Sequence, residues 1–183
     1  MPTGEVGEGG YDAVSLDDVA DRLDVTKGSL YHYFPSKDEL VGAAIETLGR
    51  DIIARLERTV DALEGTARQR LRGLLTEQAA IVVRDHPAAI RLFFLLREWP
   101  EPQHARIKEL RRYHNDLFRV LLEEGVRSGE FAVADVSVTL QCMHAAINQA
   151  PTWTRRMSPP ELEQAINTLI DTLMKLVGTP PPT

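Results

Sequence analysis

Side chains suited to bind a polyanion are concentrated between Thr26 and Lys37. This stretch holds two lysines and one histidine and no acidic residue, so it is locally positive. Serine, threonine and tyrosine residues lie among these basic residues, and their hydroxyl groups donate hydrogen bonds to phosphate oxygens. The pattern favours a phosphate-binding surface, although each of Tyr31, His32 and Tyr33 could instead be an ordinary packing residue.

Local signals place this stretch in two short helices joined by a turn. Ser15 is a predicted N-cap, because Asp18 follows three residues later and an apolar helical face begins at Leu16. Thr26 can cap the second helix, which Pro35 ends. This layout is typical of the helix-turn-helix motif that binds DNA. Its predicted core consists of Leu16, Val19, Leu23, Leu30 and Phe34.

Three segments carry a more specific signal: Gly10 to Ala20, Val25 to Phe34, and Ser36-Lys37-Asp38-Glu39-Leu40, a capping-box pattern that begins a longer helix. Together they resemble the DNA-binding domain of TetR-family (tetracycline-repressor-like) transcription regulators. The resemblance implies a double-stranded DNA partner bound through Ser15, Thr26, Lys27, Gly28, Ser29, Tyr31, His32, Tyr33 and Lys37. Four of these would face the major groove: Lys27, Gly28, Ser29 and His32. Phosphates would be contacted by Tyr31, Tyr33 and Lys37.

The first ten residues depart from the family pattern. They are acidic and glycine-rich, and their composition predicts disorder. TetR-like domains have an amphipathic, often basic helix before the position of Gly10-Tyr11, and this sequence lacks it. Two interpretations stay open. Either the true start lies upstream, or the head is impaired in DNA binding.

Charge is distributed unevenly along the chain. The formal net charge is −6, and the first 50 residues account for all of it, with four basic against ten acidic residues. An acidic head is unfavourable for DNA binding, because affinity for DNA comes largely from neutralising phosphates. The acidic residues, however, lie outside the stretch from Thr26 to Lys37.

Other function classes find little support. No apolar run reaches the length of a membrane span, and the N-terminus does not have the pattern of a signal peptide. The single Cys142 fits a reducing cytoplasm. Cys142 and His144 are two apart on a predicted helix and so do not face each other. With no metal-ligand spacing and no phosphate-binding glycine loop, we expect no enzyme activity, no metal and no cofactor.

Helical periodicity continues to the end of the chain and predicts an all-α fold. We expect helices near residues 37–63, 67–85, 88–98, 105–128, 135–150 and 159–178. The predicted domains are a helix-turn-helix DNA-binding domain over residues 1–48, a helical ligand-binding and dimerisation domain over 49–178, and a disordered tail over 179–183.

The last helix carries an a/d seam of leucine and isoleucine from Leu162 to Leu176. Either dimerisation or packing within the chain could use it. TetR relatives dimerise through their last two long helices, so the resemblance implies a homodimer, whose two heads would suit a palindromic operator. The expected interface consists of Ala146, Trp153, Leu162, Ile166, Leu169, Ile170 and Leu173.

Aromatic and polar side chains in the body could line an apolar ligand pocket or simply pack in the core. They are Phe93, Phe94, Trp99, Tyr113, Met143, His144 and Asn148. The body is similar, loosely, to TetR regulators of lipid catabolism, some of which sense acyl-CoA thioesters. The resemblance implies a ligand-responsive regulator, a repressor released from its operator by an apolar or acyl-CoA-type effector. The alternative is a dimeric helical ligand- or partner-binding protein that no longer binds DNA.

Overall fold

The computed structural model describes residues 15–87 and 103–178, and within these ranges the chain forms seven α-helices and no strand. This confirms the predicted all-α class. The helices are α1 Leu16–Leu23, α2 Lys27–Tyr33, α3 Lys37–Ala62, α4 Ala67–Ala80, α5 Gln103–Arg127, α6 Val136–Trp153 and α7 Pro159–Met174. A π-helical turn, Ile81–Asp85, follows α4, and a 3₁₀ turn, Lys175–Val177, follows α7.

Side-chain caps explain where most helices begin. In five of them the N-cap oxygen accepts a hydrogen bond from the backbone N–H three residues later, and such a cap stabilises a helix by about 1 kcal/mol. These caps are Ser15, Thr26, Ser36, Thr66 and Asp135. The helix starts therefore fall close to the predicted positions.

The described residues form two separate hydrophobic cores. The small core of the head consists of Leu16, Ala20 and Leu30, with Val19, Phe34 and Leu40 packed against it. The large core of the body draws on α3 to α7. Helix α3 contributes to both, since Leu40 packs in the head and Leu56 in the body. One prediction was wrong: Leu23 is 60% exposed, because it ends α1 beyond the buried face.

One helix ends where the sequence predicts, and another runs further. The helix predicted over 67–85 ends at Asp85, but its last five residues form a π-helix, in which the His86 N–H donates to the Ile81 carbonyl at 2.9 Å. The next residue is Pro87, and a residue before proline avoids the α conformation. Helix α6 continues through Pro151 to Trp153. Pro151 cannot donate to the Ile147 carbonyl, but it lies in the last turn, so the helix continues only two residues beyond it. The predicted helix over 88–98, the N-terminal ten residues and the predicted tail all lie outside the described residues.

Helix α7 packs much of its apolar seam inside its own chain. Ile166, Ile170 and Leu173 are only 4%, 1% and 3% exposed and belong to the body core. Helices α4 and α6 cover this side of α7, so these three residues cannot face a partner as predicted. Leu162 and Leu169 are partly buried at the margin of the core.

Candidate nucleic-acid interface and buried histidine cluster

The turn between α1 and α2 depends on Asp24. Its φ angle of 53° makes it the only non-glycine residue with positive φ among those described. Aspartate tolerates this left-handed conformation better than most residues. The Val25 N–H then donates to the Ala20 carbonyl at 3.1 Å, which holds the start of α2 against α1.

Helix α2 is exposed on almost its whole surface. Only Leu30 is buried, and it anchors the helix to the small core. Tyr31 and Tyr33 are 47% and 74% exposed, and the rings of His32 and Tyr33 meet edge to face at 5.3 Å. Large aromatic side chains that remain in water without a packing role indicate a contact surface. The structure thus presents the predicted DNA-binding residues of α2 to solvent.

The first turn of α2 is closed by local hydrogen bonds. Thr26 Oγ1 accepts from the Ser29 N–H at 3.1 Å and donates to Ser29 Oγ at 2.9 Å. A Cβ built on Gly28 would meet no atom within 4 Å. Packing within the protein therefore does not require glycine here, although glycine in a helix costs about 1 kcal/mol relative to alanine. Close approach of another molecule to this backbone would account for it.

Lys27, the first residue of α2, is paired with the preceding helix. Its Nζ lies 2.7 Å from Asp17 Oδ2, and both side chains are about half exposed. The hydrogen bond to Asp17 raises the pKa of Lys27 above its ordinary value. Any DNA group that Lys27 contacts would compete with the Asp17 carboxylate for this ammonium group.

The remaining predicted DNA-binding residues lie at helix starts. Ser15 caps α1, where its N–H and Oγ both donate to Asp18 Oδ2, at 2.8 and 2.7 Å. Lys37 is partly buried at the first position of α3. Backbone N–H groups at a helix start favour a nearby anion, so Lys37 and this helix end could bind the same phosphate.

The body contains a polar cluster enclosed by apolar side chains. His114 and Phe118 come from α5, and His144 comes from α6. The two imidazole centroids are 4.9 Å apart, and Phe118 lies edge-on to His144 at 4.8 Å. His114 Nε2 is 3.0 Å from Oε1 of Gln78, a buried residue of α4. Burial lowers the pKa of His114 to about 4 and, together with the His114 charge, that of His144 to about 3.

The other predicted pocket residues do not join this cluster as a group. Met143 is fully buried and belongs to the body core. Tyr113 is 47% exposed, and its hydroxyl donates to Glu57 Oε1 of α3 at 2.5 Å, so it lies on the surface. Asn148 is partly buried. Phe93, Phe94 and Trp99 lie outside the described residues.

Neither a metal site nor a membrane span is found in the part of the chain that the structure describes. Within residues 15–87 and 103–178, no three His, Cys, Asp or Glu side chains come together to hold a metal ion. No helix in the same ranges is long and apolar enough to cross a membrane.

Comparison with known proteins assigns both parts of the chain. Residues 5–44 match "Bacterial regulatory proteins, tetR family", and residues 64–177 match "Tetracyclin repressor-like, C-terminal domain". The chain belongs to the TetR family. One relative, the fatty acid metabolism regulator protein of Bacillus subtilis, is 23% identical over 171 residues, which cover 92% of this chain and 88% of the relative.

Solved structures agree on the fold. A TetR-family regulatory protein from Rhodococcus RHA1 superposes with a TM-score of 0.81 at 21% identity, covering 94% of this chain and 90% of that one. The transcriptional regulator FadR from Bacillus subtilis, solved in complex with stearoyl-CoA, superposes with a TM-score of 0.74 at 22% identity, covering 92% and 91%.

In this TetR-family regulator, α3 joins the DNA-binding head to the body through a buried carboxylate. Glu46 of α3 is only 6% exposed. It pairs with Arg50 one turn later and with Arg106 of α5, whose NH1 lies 3.4 Å from Glu46 Oε2. A buried carboxylate requires such partners, because an unpaired one would be strongly destabilising. Glu46 thus ties the head end of α3 to the first turn of α5.

Sequence reasoning missed four residues of these sites: Asp17, Glu46, Gln78 and His114. Asp17 and Glu46 look like ordinary surface acids in the sequence, and their partners lie on other helices. A weak signal existed for His114, which falls in the apolar register of α5. Gln78 carried no signal, because only its packing against α5 shows its role.

Proposed function

We propose that the protein is a transcriptional repressor that binds a palindromic operator as a homodimer and leaves it when an acyl-CoA-type effector binds the body. The observation that carries the proposal is the exposed face of α2, where basic, hydroxyl and tyrosine side chains lie on a helix anchored only by Leu30. The structurally similar regulator FadR from Bacillus subtilis was solved in complex with stearoyl-CoA, which motivates the effector class.

In this proposal the head binds DNA, the body binds the effector, and α3 joins the two. The head would comprise residues 1–48 and the body residues 49–178, with α3 crossing the boundary as one continuous helix. A ligand that moves α5 relative to α3 would alter the pairing of Arg106 with Glu46 and so the direction of the head. Two heads must match half-sites about 34–36 Å apart, so a shift of a few ångströms would weaken operator binding.

The dimer proposal rests on the exposed side of α7, where two residues of the predicted interface, Trp153 and Leu169, remain accessible. A shallow, mostly apolar groove runs along its exposed side, lined by Trp153, Pro160, Glu161, Gln164, Ala165, Thr168, Leu169 and Thr172. Trp153 is 47% exposed there. We expect Thr168→Arg to yield monomers in light scattering. Thr76→Arg is the matched control, because Thr76 is also exposed and bonds its own helix in the same way. An unchanged dimer in Thr168→Arg would refute this interface.

Fluorescence anisotropy with DNA from upstream of the coding region tests the repressor proposal. We expect tight binding that weakens steeply with salt, and Lys37→Ala should reduce the slope of log K against log salt by about one. Palmitoyl-CoA should weaken DNA binding, and DNA should weaken palmitoyl-CoA binding by the same factor, because linkage is reciprocal. Independent binding of the two would refute effector control. Absence of DNA binding would favour a helical ligand-binding dimer instead.

A further inference from the structure

The polar cluster in the body leaves one hydrogen-bonding group unused. His144 is 7% exposed, and its Nε2 atom has no hydrogen-bond partner among residues 15–87 and 103–178. In the described ranges, Arg70 Nε is the one other buried side-chain nitrogen or oxygen without a hydrogen-bond partner. Arg70 is otherwise well paired, since its NH1 lies 2.8 Å from both carboxylate oxygens of Glu124.

The surroundings of His144 explain why no side chain reaches this nitrogen. Phe118 lies edge-on to the ring, and the Gln78 amide oxygen is already bonded to His114. On α6 itself, the neighbours one turn away on the buried face are Leu140 and Ile147, both fully enclosed. A leucine or phenylalanine at position 144 would fill this space without stranding a polar atom. An unpaired buried nitrogen is destabilising, so a purely structural role does not account for a histidine here.

The backbone beside the cluster is also irregular. The π-helical turn Ile81–Asp85 follows three residues after Gln78 and packs against α6. Single π-helical turns within helices occur frequently at functional sites. The unpaired nitrogen and the irregular turn therefore lie on facing elements, α6 and the end of α4.

We propose that His144 Nε2 is the hydrogen-bonding anchor for the effector, and that it binds an uncharged oxygen, a carbonyl or hydroxyl, on an otherwise apolar molecule. The proposal rests on the effector-binding role proposed for the body. Among residues 15–87 and 103–178 the cluster offers two imidazoles and one amide and no lysine or arginine, so a carboxylate entering it would lack a partner of opposite charge there. Burial also keeps both imidazoles neutral at neutral pH. The site thus accepts an ester, thioester or alcohol and rejects the corresponding free acid.

Three probes of equal chain length test this preference by titration calorimetry: 1-decanol, decanoate and decane. We expect the wild-type protein to bind 1-decanol about tenfold more tightly than decane, which corresponds to one buried hydrogen bond, and to bind decanoate more weakly than 1-decanol. His144→Leu should bind 1-decanol and decane equally. His104→Leu, at an exposed position of α5, is the control and should keep the wild-type preference.

Two further measurements separate this role from a structural one. His144→Leu should melt at the same or a higher temperature than wild type, because it removes an unpaired polar atom. In the wild-type protein labelled with ¹⁵N-histidine, 1-decanol should shift the Nε2 resonance of His144. The proposal is overturned if His144→Leu keeps the preference for 1-decanol, if the resonance does not move, or if 1-decanol fails to bind at its solubility limit. The repressor proposal is judged separately, by the response of DNA binding to palmitoyl-CoA.

Discussion

Mild acid should destabilise the body through buried His144 and partly buried His114. Burial lowers the pKa of His114 to about 4 and that of His144 to about 3, against 6.5 for an ordinary histidine. Both pKa values are lower in the folded state, so the unfolded chain binds more protons once the pH falls below 6.5. The stabilisation is therefore complete above pH 6.5 and is lost as the pH falls towards 4.

The size of the effect follows from the pKa values. Each histidine loses about 1.4 kcal/mol per pH unit within this window. Lowering the pH from about 6.5 to about 5 should thus reduce the free energy of unfolding by about 3 kcal/mol for the pair, since an unfolded histidine is only half protonated at pH 6.5. That is a large part of the 5–15 kcal/mol that stabilises a typical domain. The window also avoids Asp85, Glu130 and Glu161, whose pKa values are lowered and which titrate in stronger acid.

Urea unfolding followed by circular dichroism at three pH values measures this slope. The test variant combines His114→Gln with His144→Leu, since glutamine still offers Gln78 a hydrogen-bond partner. We expect the double variant to lose most of the pH dependence, whereas His104→Gln should retain it. An equal pH dependence in wild type and the double variant would refute the reasoning, because the acid sensitivity would then come from other groups.

Three further substitutions test the head and its link to the body. Asp17→Asn should free Lys27 and tighten DNA binding, and the slope of log K against log salt should steepen by up to about one. The control Asp61→Asn should change neither the DNA affinity nor this slope. Gly28→Ala should stabilise α2 by up to about 1 kcal/mol, yet it should weaken DNA binding. Equal or tighter DNA binding would show that DNA does not closely approach the backbone at Gly28. Glu46→Gln should reduce the factor by which palmitoyl-CoA weakens DNA binding, because the ion pair between α3 and α5 is lost. Anisotropy titrations measure this factor. An unchanged factor would mean that other contacts couple the body to the head.

Local sequence signals predicted much of the fold. The caps at Ser15, Thr26 and Ser36 are short-range patterns, and the helices begin where these residues indicate. The partner of an apolar face is not a local property. The seam from Leu162 to Leu176 has the same spacing whether it packs within the chain or against a second copy, and here Ile166 and Leu173 pack within the chain.

The sequence predicted the exposed face of α2 better than the lining of the ligand pocket, because contacts between helices are not a local property of the sequence. Exposure of α2 followed from its polar sequence, and the structure agrees for Tyr31 and Tyr33. Tyr113 has helical spacing that suits a pocket, yet its hydroxyl bonds Glu57 on the surface. The orphaned nitrogen of His144 depends on three helices that meet in space, so no pattern within one helix could indicate it.

The acidic head becomes understandable once Lys27 is seen paired with Asp17. A carboxylate 2.7 Å from the ammonium group acts as an internal counterion, and any DNA group that Lys27 contacts must displace it. Displacement weakens binding to every DNA sequence alike, because the pair that is broken lies within the protein. A correct operator can offset this loss through base contacts, whereas other DNA cannot. The internal pair therefore lowers non-specific binding without reducing discrimination among sequences. For a genome with a vast excess of non-specific sites, weak binding to those sites frees repressor for its operator.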